Sequence, residues 1–206
     1  MKWVIIFTAA IVGLFLTLTL ISNSRVKGND NNDRNRGDRN REDEGELEVR
    51  VGFAISPIPF SSLSLKGKDP ELAGLGSYIV NAQGGCNDCH TCPSYAPGPS
   101  SHNPYPPVLG DGQFNSKNYL AGGVPFGPIL KSRNITPDAT GKPAGLTLEQ
   151  FETAIYTGHD PLTGDILEVM PWPIYRFMTG RDLDAVYTYL SALPHAEPGN
   201  CSSAGQ

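Results

Sequence analysis

The sequence predicts an all-α domain with long irregular loops, and three observations support it. Three segments carry helical periodicity with start and stop signals of their own. No run alternates apolar and polar residues in the manner of a half-buried strand. The remainder is broken up by 18 prolines and 23 glycines, eight of the prolines falling within residues 93–128. In the first helix Asp69 serves as N-cap with Pro70 at the first helical position, and Leu72, Leu75, Ile79 and Val80 recur on one face up to Gly84. The second opens on a capping box, Thr147 with Gln150, carries Leu148, Phe151, Ala154 and Ile155, and stops at Gly158. The third starts at Thr179 with Asp182, and Leu183, Val186, Tyr187, Leu190 and Leu193 keep the helical period until Pro194.

Composition divides the chain further. With 16 basic and 21 acidic residues among 206, the net charge of -5 speaks against a nucleic-acid binder or a basic peripheral membrane protein. Residues 3–21 are almost wholly apolar and uncharged, long enough to cross a bilayer as a helix. With Lys2 ahead of them they would insert with the N-terminus in the cytoplasm and export the residues C-terminal to them. Ser22 and Ser24 leave a cleaved signal peptide open as the rival reading, with the same consequence for the rest of the chain. Residues 25–50 hold seven basic and eight acidic side chains among Asn and Gly, too little apolar surface to order, and read as a disordered tether. Residues 51–64 are apolar but interrupted by Pro57 and Pro59, and read as an extended strap along the domain surface. The expected organisation is an anchor or signal over 1–24, linker and strap over 25–68, a domain over 69–197 and a tail over 198–206.

The chemistry concentrates at Cys86-Asn87-Asp88-Cys89-His90. A C-x-x-C-H run is a c-type haem attachment signature: the two thiols add to the two haem vinyl groups and the adjacent histidine supplies an axial ligand to iron. Cys92 extends the run to C-x2-C-x2-C before Pro93, which leaves an iron–sulfur reading open, although position 96 is Ala where a fourth cysteine is needed and only Cys201 remains. A zinc site wants a second paired C-x2-C or a spaced histidine pair, and neither occurs. For the second axial ligand the candidates are Met170, Met178, His102, His159 and His195, and the histidines, lying in polar or Pro/Gly-flanked loops, rank below the two methionines. Pro171 and Pro173 flank Trp172 and stiffen the chain around Met170, whereas Met178 directly precedes an N-cap and reads as packing. Tyr95, Tyr105, Phe114, Tyr119 and Phe126 are the loop aromatics available to pack on a haem face or to anchor the loop itself.

From about residue 70 to 193 the chain resembles class I c-type cytochromes, and among them the haem modules of cytochrome c subunits of periplasmic membrane-bound dehydrogenases. The resemblance is carried by Gly76-Ser77-Tyr78 ahead of Cys86, Cys89, His90 and Thr91, and by residues 120–127 (LAGGVPFG) and 132–138 (SRNITPD). Residues 146–151 (LTLEQF), Thr157-Gly158, Met170-Pro171-Trp172 and 182–190 (DLDAVYTYL) complete it. It implies Met170 as the distal iron ligand opposite His90, with Trp172 in the same haem-binding element. It implies Asn134 and Thr136 as haem-edge contacts and Arg133 as partner of a propionate. The chain departs from the pattern in having one haem motif where such subunits usually string several, in the long Pro-rich insert, and in Cys92 and Cys201. In an oxidising compartment these two leftover thiols are expected to bridge, since the first and last helices of that fold pack across each other; a free Cys92 beside a frayed tail is the alternative.

The expected function is that of a mono-haem c-type cytochrome moving single electrons through a His/Met-ligated haem c, not an enzyme in itself. The resemblance sets it in a dehydrogenase complex. The expected partners are redox proteins (a dehydrogenase, another cytochrome or a terminal oxidase) and the membrane through the N-terminal helix, with no nucleic acid. It would sit on the periplasmic side of the bacterial inner membrane, or free in the periplasm if the leader is cut. The alternatives are a haem sensor or peroxide-reactive protein with a displaceable distal ligand, and an iron–sulfur or zinc module.

Overall fold

The computed structural model describes residues 44–95, 114–128 and 130–201. The expected membrane segment 3–21, most of the tether, Tyr105, His102 and residues 202–206 lie outside the described residues. Among the described residues no helix is long and apolar enough to cross a membrane.

The described residues are dominated by helix. Helix α1 covers residues 44–55, α2 Pro70–Tyr78, α3 Cys86–His90, α4 Leu148–Thr157, α5 Trp172–Tyr175 and α6 Gly180–Ala192. Between α2 and α3 the helix widens into a π-helical turn over Ile79–Gln83, in which the Gly84 amide bonds to the Ile79 carbonyl. The three helices read from the sequence begin as expected. Asp69 caps α2 by accepting from the Glu71 and Leu72 amides, and reciprocal capping boxes open α4 (Thr147 with Gln150) and α6 (Thr179 with Asp182). Among the described residues strand is confined to an antiparallel pair of two residues each, β1 Pro125–Phe126 and β2 Leu130–Lys131.

The core forms where α2 crosses α6. Gly76 meets the Ala185 carbonyl so closely that a β-carbon there would lie 1.9 Å from its oxygen, so the helices touch backbone to backbone. Leu75, Ile79 and Val80 on one side and Leu183, Val186, Tyr189 and Leu190 on the other are buried around this crossing. Each such aliphatic side chain contributes about 1.5–3 kcal/mol relative to exposure.

Residues 44–55 correct the sequence reading. They are neither disordered tether nor extended strap but helix, and the compact unit begins at Glu44. The physical reason is tertiary. Gly52 lets α1 approach α2 until a β-carbon would lie 1.9 Å from the Gly74 carbonyl oxygen, the Ser77 hydroxyl donates to the Gly52 carbonyl at 2.8 Å, and Val49 and Phe53 close over Gly74. Glu44, Glu46 and Glu48 lie toward its N-terminal end, where the helix dipole favours negative charge. Pro57 then bars further helix, and Phe60–Ser62 makes a single 3-10 turn. Phe60 stacks on Tyr189, and Ile58, Phe60 and Leu65 pack on the core.

Candidate functional site

Helix α3 starts immediately after Gly85, whose left-handed conformation (φ +57°) turns the chain out of the π-helical stretch. The helix places Cys86 and Cys89 three residues apart, on one face and one turn from each other. Neither is in a disulfide, and Cys86 packs against the core. Burial pushes the Cys86 thiol up to about 12 and raises that of Cys89, with Asp88 adding to both.

His90 ends the helix. Its Nδ1 donates to the Arg133 carbonyl at 2.9 Å, which fixes the ring and leaves Nε2 as the free nitrogen. Burial lowers the His90 pKa, opposed by that hydrogen bond, which favours the neutral imidazole, the form that can ligate a metal. Two bonds from the following loop brace the turn: the Leu120 amide donates to the Thr91 hydroxyl at 2.9 Å, and the Gly122 amide to the His90 carbonyl at 2.6 Å. Gly122 (φ +74°) lies against the carbonyl that His90 uses, where a β-carbon would come within 2.5 Å of the Arg133 oxygen.

The SRNITPD loop thus reaches the site through a backbone carbonyl, which sequence reasoning did not single out. Its side chains bond within the protein. The Arg133 guanidinium pairs with Asp160 at 2.8 Å. Asn134 Oδ1 accepts from the Thr136 amide and hydroxyl at 2.9 and 2.7 Å, while its Nδ2 donates to the Ala196 carbonyl at 2.8 Å. Thr136 is buried. Asn134 and Thr136 therefore bind the chain beyond α6.

Met170 is half-buried in an irregular stretch, and its carbonyl accepts from the Trp172 amide at 2.8 Å. Trp172 lies flat against the end of α4: a β-carbon on Gly158 would fall 2.2 Å from the indole ring. The Arg176 guanidinium sits 5.9 Å from the same ring. Tyr175, which the sequence reading passed over, donates its hydroxyl to the Gly84 carbonyl and so ties the Met170 segment to the turn ahead of Cys86. Burial, with the neighbouring Cys86 and Cys89 thiols, pushes its phenol up to about 12. Ile166, Val169, Ile174 and Phe177 leave apolar surface exposed along this stretch, and Met178 packs on the core instead.

Cys92 is bonded to Cys201, with 5.7 Å between their α-carbons. That removes both from any iron–sulfur or zinc site, and among the described residues no three His, Cys, Asp or Glu side chains gather for a metal ion. The loop aromatics brace one another: Tyr95 stacks on Phe114, Phe114 meets Tyr119 edge-on, and Tyr119 is buried with its hydroxyl on Asn81 at 2.6 Å.

Two unbridged thiols one helical turn apart, next to a neutral imidazole whose Nε2 is free, form a donor set that fits covalent haem. Comparison with known proteins finds cytochrome c subunits. Over 150 residues the chain is 27% identical to the cytochrome c subunit of the quinone alcohol dehydrogenase of Gluconacetobacter polyoxogenes and to that of Komagataeibacter europaeus. The chain resembles dehydrogenase cytochrome c subunits. A third such relative, the gluconate 2-dehydrogenase cytochrome c subunit of Pantoea cypripedii, is 25% identical over 142 residues. These alignments cover 68–69% of this chain but 27–29% of the relatives, so the cytochrome c-like chain spans under a third of their length. No family model and no solved structure matches it.

Proposed function

We propose that the domain is a mono-haem c-type cytochrome that relays single electrons between redox proteins. The observation that carries this reading is the pairing of Cys86 and Cys89 on one turn of α3 with His90 held through Nδ1. Cys86 and Cys89 would hold the haem as thioethers, and His90 Nε2 and the Met170 sulfur would ligate its iron. The bound haem supplies the one-electron couple, and a thioether opposite histidine favours the ferrous state. The chain's own part is to orient His90 by the Arg133 carbonyl and to hold the Met170 segment by Trp172 and Tyr175.

His90 and Met170 together would leave the bound haem no open site, which favours electron transfer over gas sensing or peroxide chemistry. The partner is a dehydrogenase catalytic subunit or a further cytochrome, in keeping with the names of the relatives. The length and apolarity of residues 3–21 support attachment at the periplasmic face of the inner membrane. Optical spectra of the purified protein test the reading: a haem that is low-spin and six-coordinate in both oxidation states, whose ferrous form does not readily bind carbon monoxide, and that stays on the polypeptide in acid acetone, is expected. Ready carbon monoxide binding would make it a sensor or enzyme, and extractable haem would refute covalent attachment.

A further inference from the structure

The stretch beyond α6, residues 194–201, has no regular structure, yet side chains from around the His90 site fasten it at intervals. Asn134 Nδ2 donates to the Ala196 carbonyl at 2.8 Å and Asn118 Nδ2 to the Glu197 carbonyl at 2.8 Å. Pro198 fills the place of a side chain at Gly123, where a β-carbon would lie 2.9 Å from it. Cys201 ends the stretch in its disulfide to Cys92. The disulfide enters the chain two residues after His90, and Asn134 directly follows the residue whose carbonyl His90 uses. These links close a ring: His90 to Cys92 along the chain, across the disulfide to Cys201, back to Ala196, across to Asn134, and through Arg133 to His90 Nδ1.

We propose that residues 196–201 are a positioning strap for His90, in which the Cys92–Cys201 disulfide and Asn134 together hold the Arg133 carbonyl against the imidazole. The proposal rests on the reading of His90 as haem ligand and adds the device that sets its donor strength. A hydrogen bond weakens steeply as its angle opens, so an acceptor must be held from more than one side. Gly122 crowds the Arg133 carbonyl from the loop side, and the Asn134 amide, bound to the strap, fixes the following peptide. A carbonyl held on Nδ1 makes the imidazole more basic and favours ferric iron. The strap therefore keeps the reduction potential lower than it would be with a loose ring. Asn134 and Cys201 act through other groups and are positioning residues.

The test uses full-length holoprotein and three variants: Asn134→Ala, the disulfide-less Cys92→Ser with Cys201→Ser, and the combination. Asn134→Ala changes no charge, so a shift in potential is not a charge effect. Each of the first two is expected to move the reduction potential in the positive direction and to speed solvent exchange of the His90 Nδ1 proton, read by NMR, about tenfold, the loss of one ordinary hydrogen bond. Because both act on one ring, the combination should shift little beyond the larger single effect. Unchanged potential and exchange in both, even with a lowered melting temperature, would make the strap a plain stabiliser and overturn the proposal, as would fully additive shifts. Should the disulfide-less variant fail to fold, Asn134→Ala keeps the bridge and decides alone. Wild-type protein without covalent haem would instead refute the haem reading itself, before any variant is compared.

Discussion

Replacing Gly158 with Ala tests how the Met170 segment is held. Gly158 caps α4 in the left-handed region (φ +72°, ψ 14°), and an added methyl would fall 2.2 Å from the Trp172 ring. The left-handed conformation costs an alanine about 1 kcal/mol. Forcing a methyl into a filled contact costs about 1–3 kcal/mol more. Trp172 has little room to yield, because the Arg176 guanidinium lies over its ring and the Leu167 amide donates to the Gly158 carbonyl at 2.7 Å. A net loss of about 3 kcal/mol in a domain of this size corresponds to a melting temperature lower by about 6–12 °C. The displacement should pass along the chain to Met170, two residues before Trp172, and weaken the far-red sulfur-to-iron band of the oxidised protein. Calorimetry and the near-infrared edge of the optical spectrum read the two effects. Adding Trp172→Leu should restore the steric part and leave the conformational part, while Gly180→Ala, where nothing lies within 4 Å, should be neutral or slightly stabilising. A Gly158→Ala protein that melts within about 2 °C of wild type with its far-red band intact would refute this account of the Met170 segment.

Replacing Met170 by Ala should abolish the same far-red band, whereas Met178→Ala should keep the band and cost about 2–3 kcal/mol of stability, since Met178 packs on the core; the opposite pattern in the spectra would exchange their roles. Gly76→Ala should destabilise by about 2 kcal/mol in thermal unfolding, because the gain in helix propensity does not offset pushing α2 off the Ala185 carbonyl. Glu197, then the Pro137 carbonyl, raise the pKa of His195. Its contribution is therefore fully present below the ordinary imidazole value and fades as pH climbs through the raised one. Denaturation midpoints should fall slightly from pH 6 to 8, by well under 1 kcal/mol for so exposed a pair, and His195→Gln should flatten that slope.

Local chemistry decides the part of the fold that was legible in the sequence. Asp69, Thr147 with Gln150, and Thr179 with Asp182 start the helices they were expected to start, because a cap is a bond between residues two or three apart. The spacing of Cys86, Cys89 and His90 is likewise local. Helix α1 was not legible: its charged first half reads as solvated tether and its apolar second half as extended strap, and it is the close approach of Gly52 to Gly74, the Ser77 bond and the packing of Val49 and Phe53 that make it one packed element. The carbonyl of Arg133 could not be found from side-chain identity, because any residue supplies one and only the tertiary path brings this one to His90. The same path gives the Arg133 guanidinium to Asp160 and gives Asn134 and Thr136 to the segment after α6. The Cys92–Cys201 bridge was expected from the oxidising compartment and the helix crossing, and it forms; the pinning of residues 196–200 between its ends was not foreseen.

That bridge also bears on how the protein is made. Cys86, Cys89 and Cys92 are evenly spaced, so Cys89 stands to Cys92 as Cys86 stands to Cys89, while the true partner of Cys92 leaves the ribosome 109 residues later. On the proposed reading, in which the chain is exported and binds haem covalently, these three thiols within seven residues would meet an oxidising compartment before Cys201 does and would be able to pair among themselves. Any such pairing takes at least one thiol away from the haem vinyl groups. On that reading, maturation without a dithiol reductant should yield less holoprotein than maturation with one.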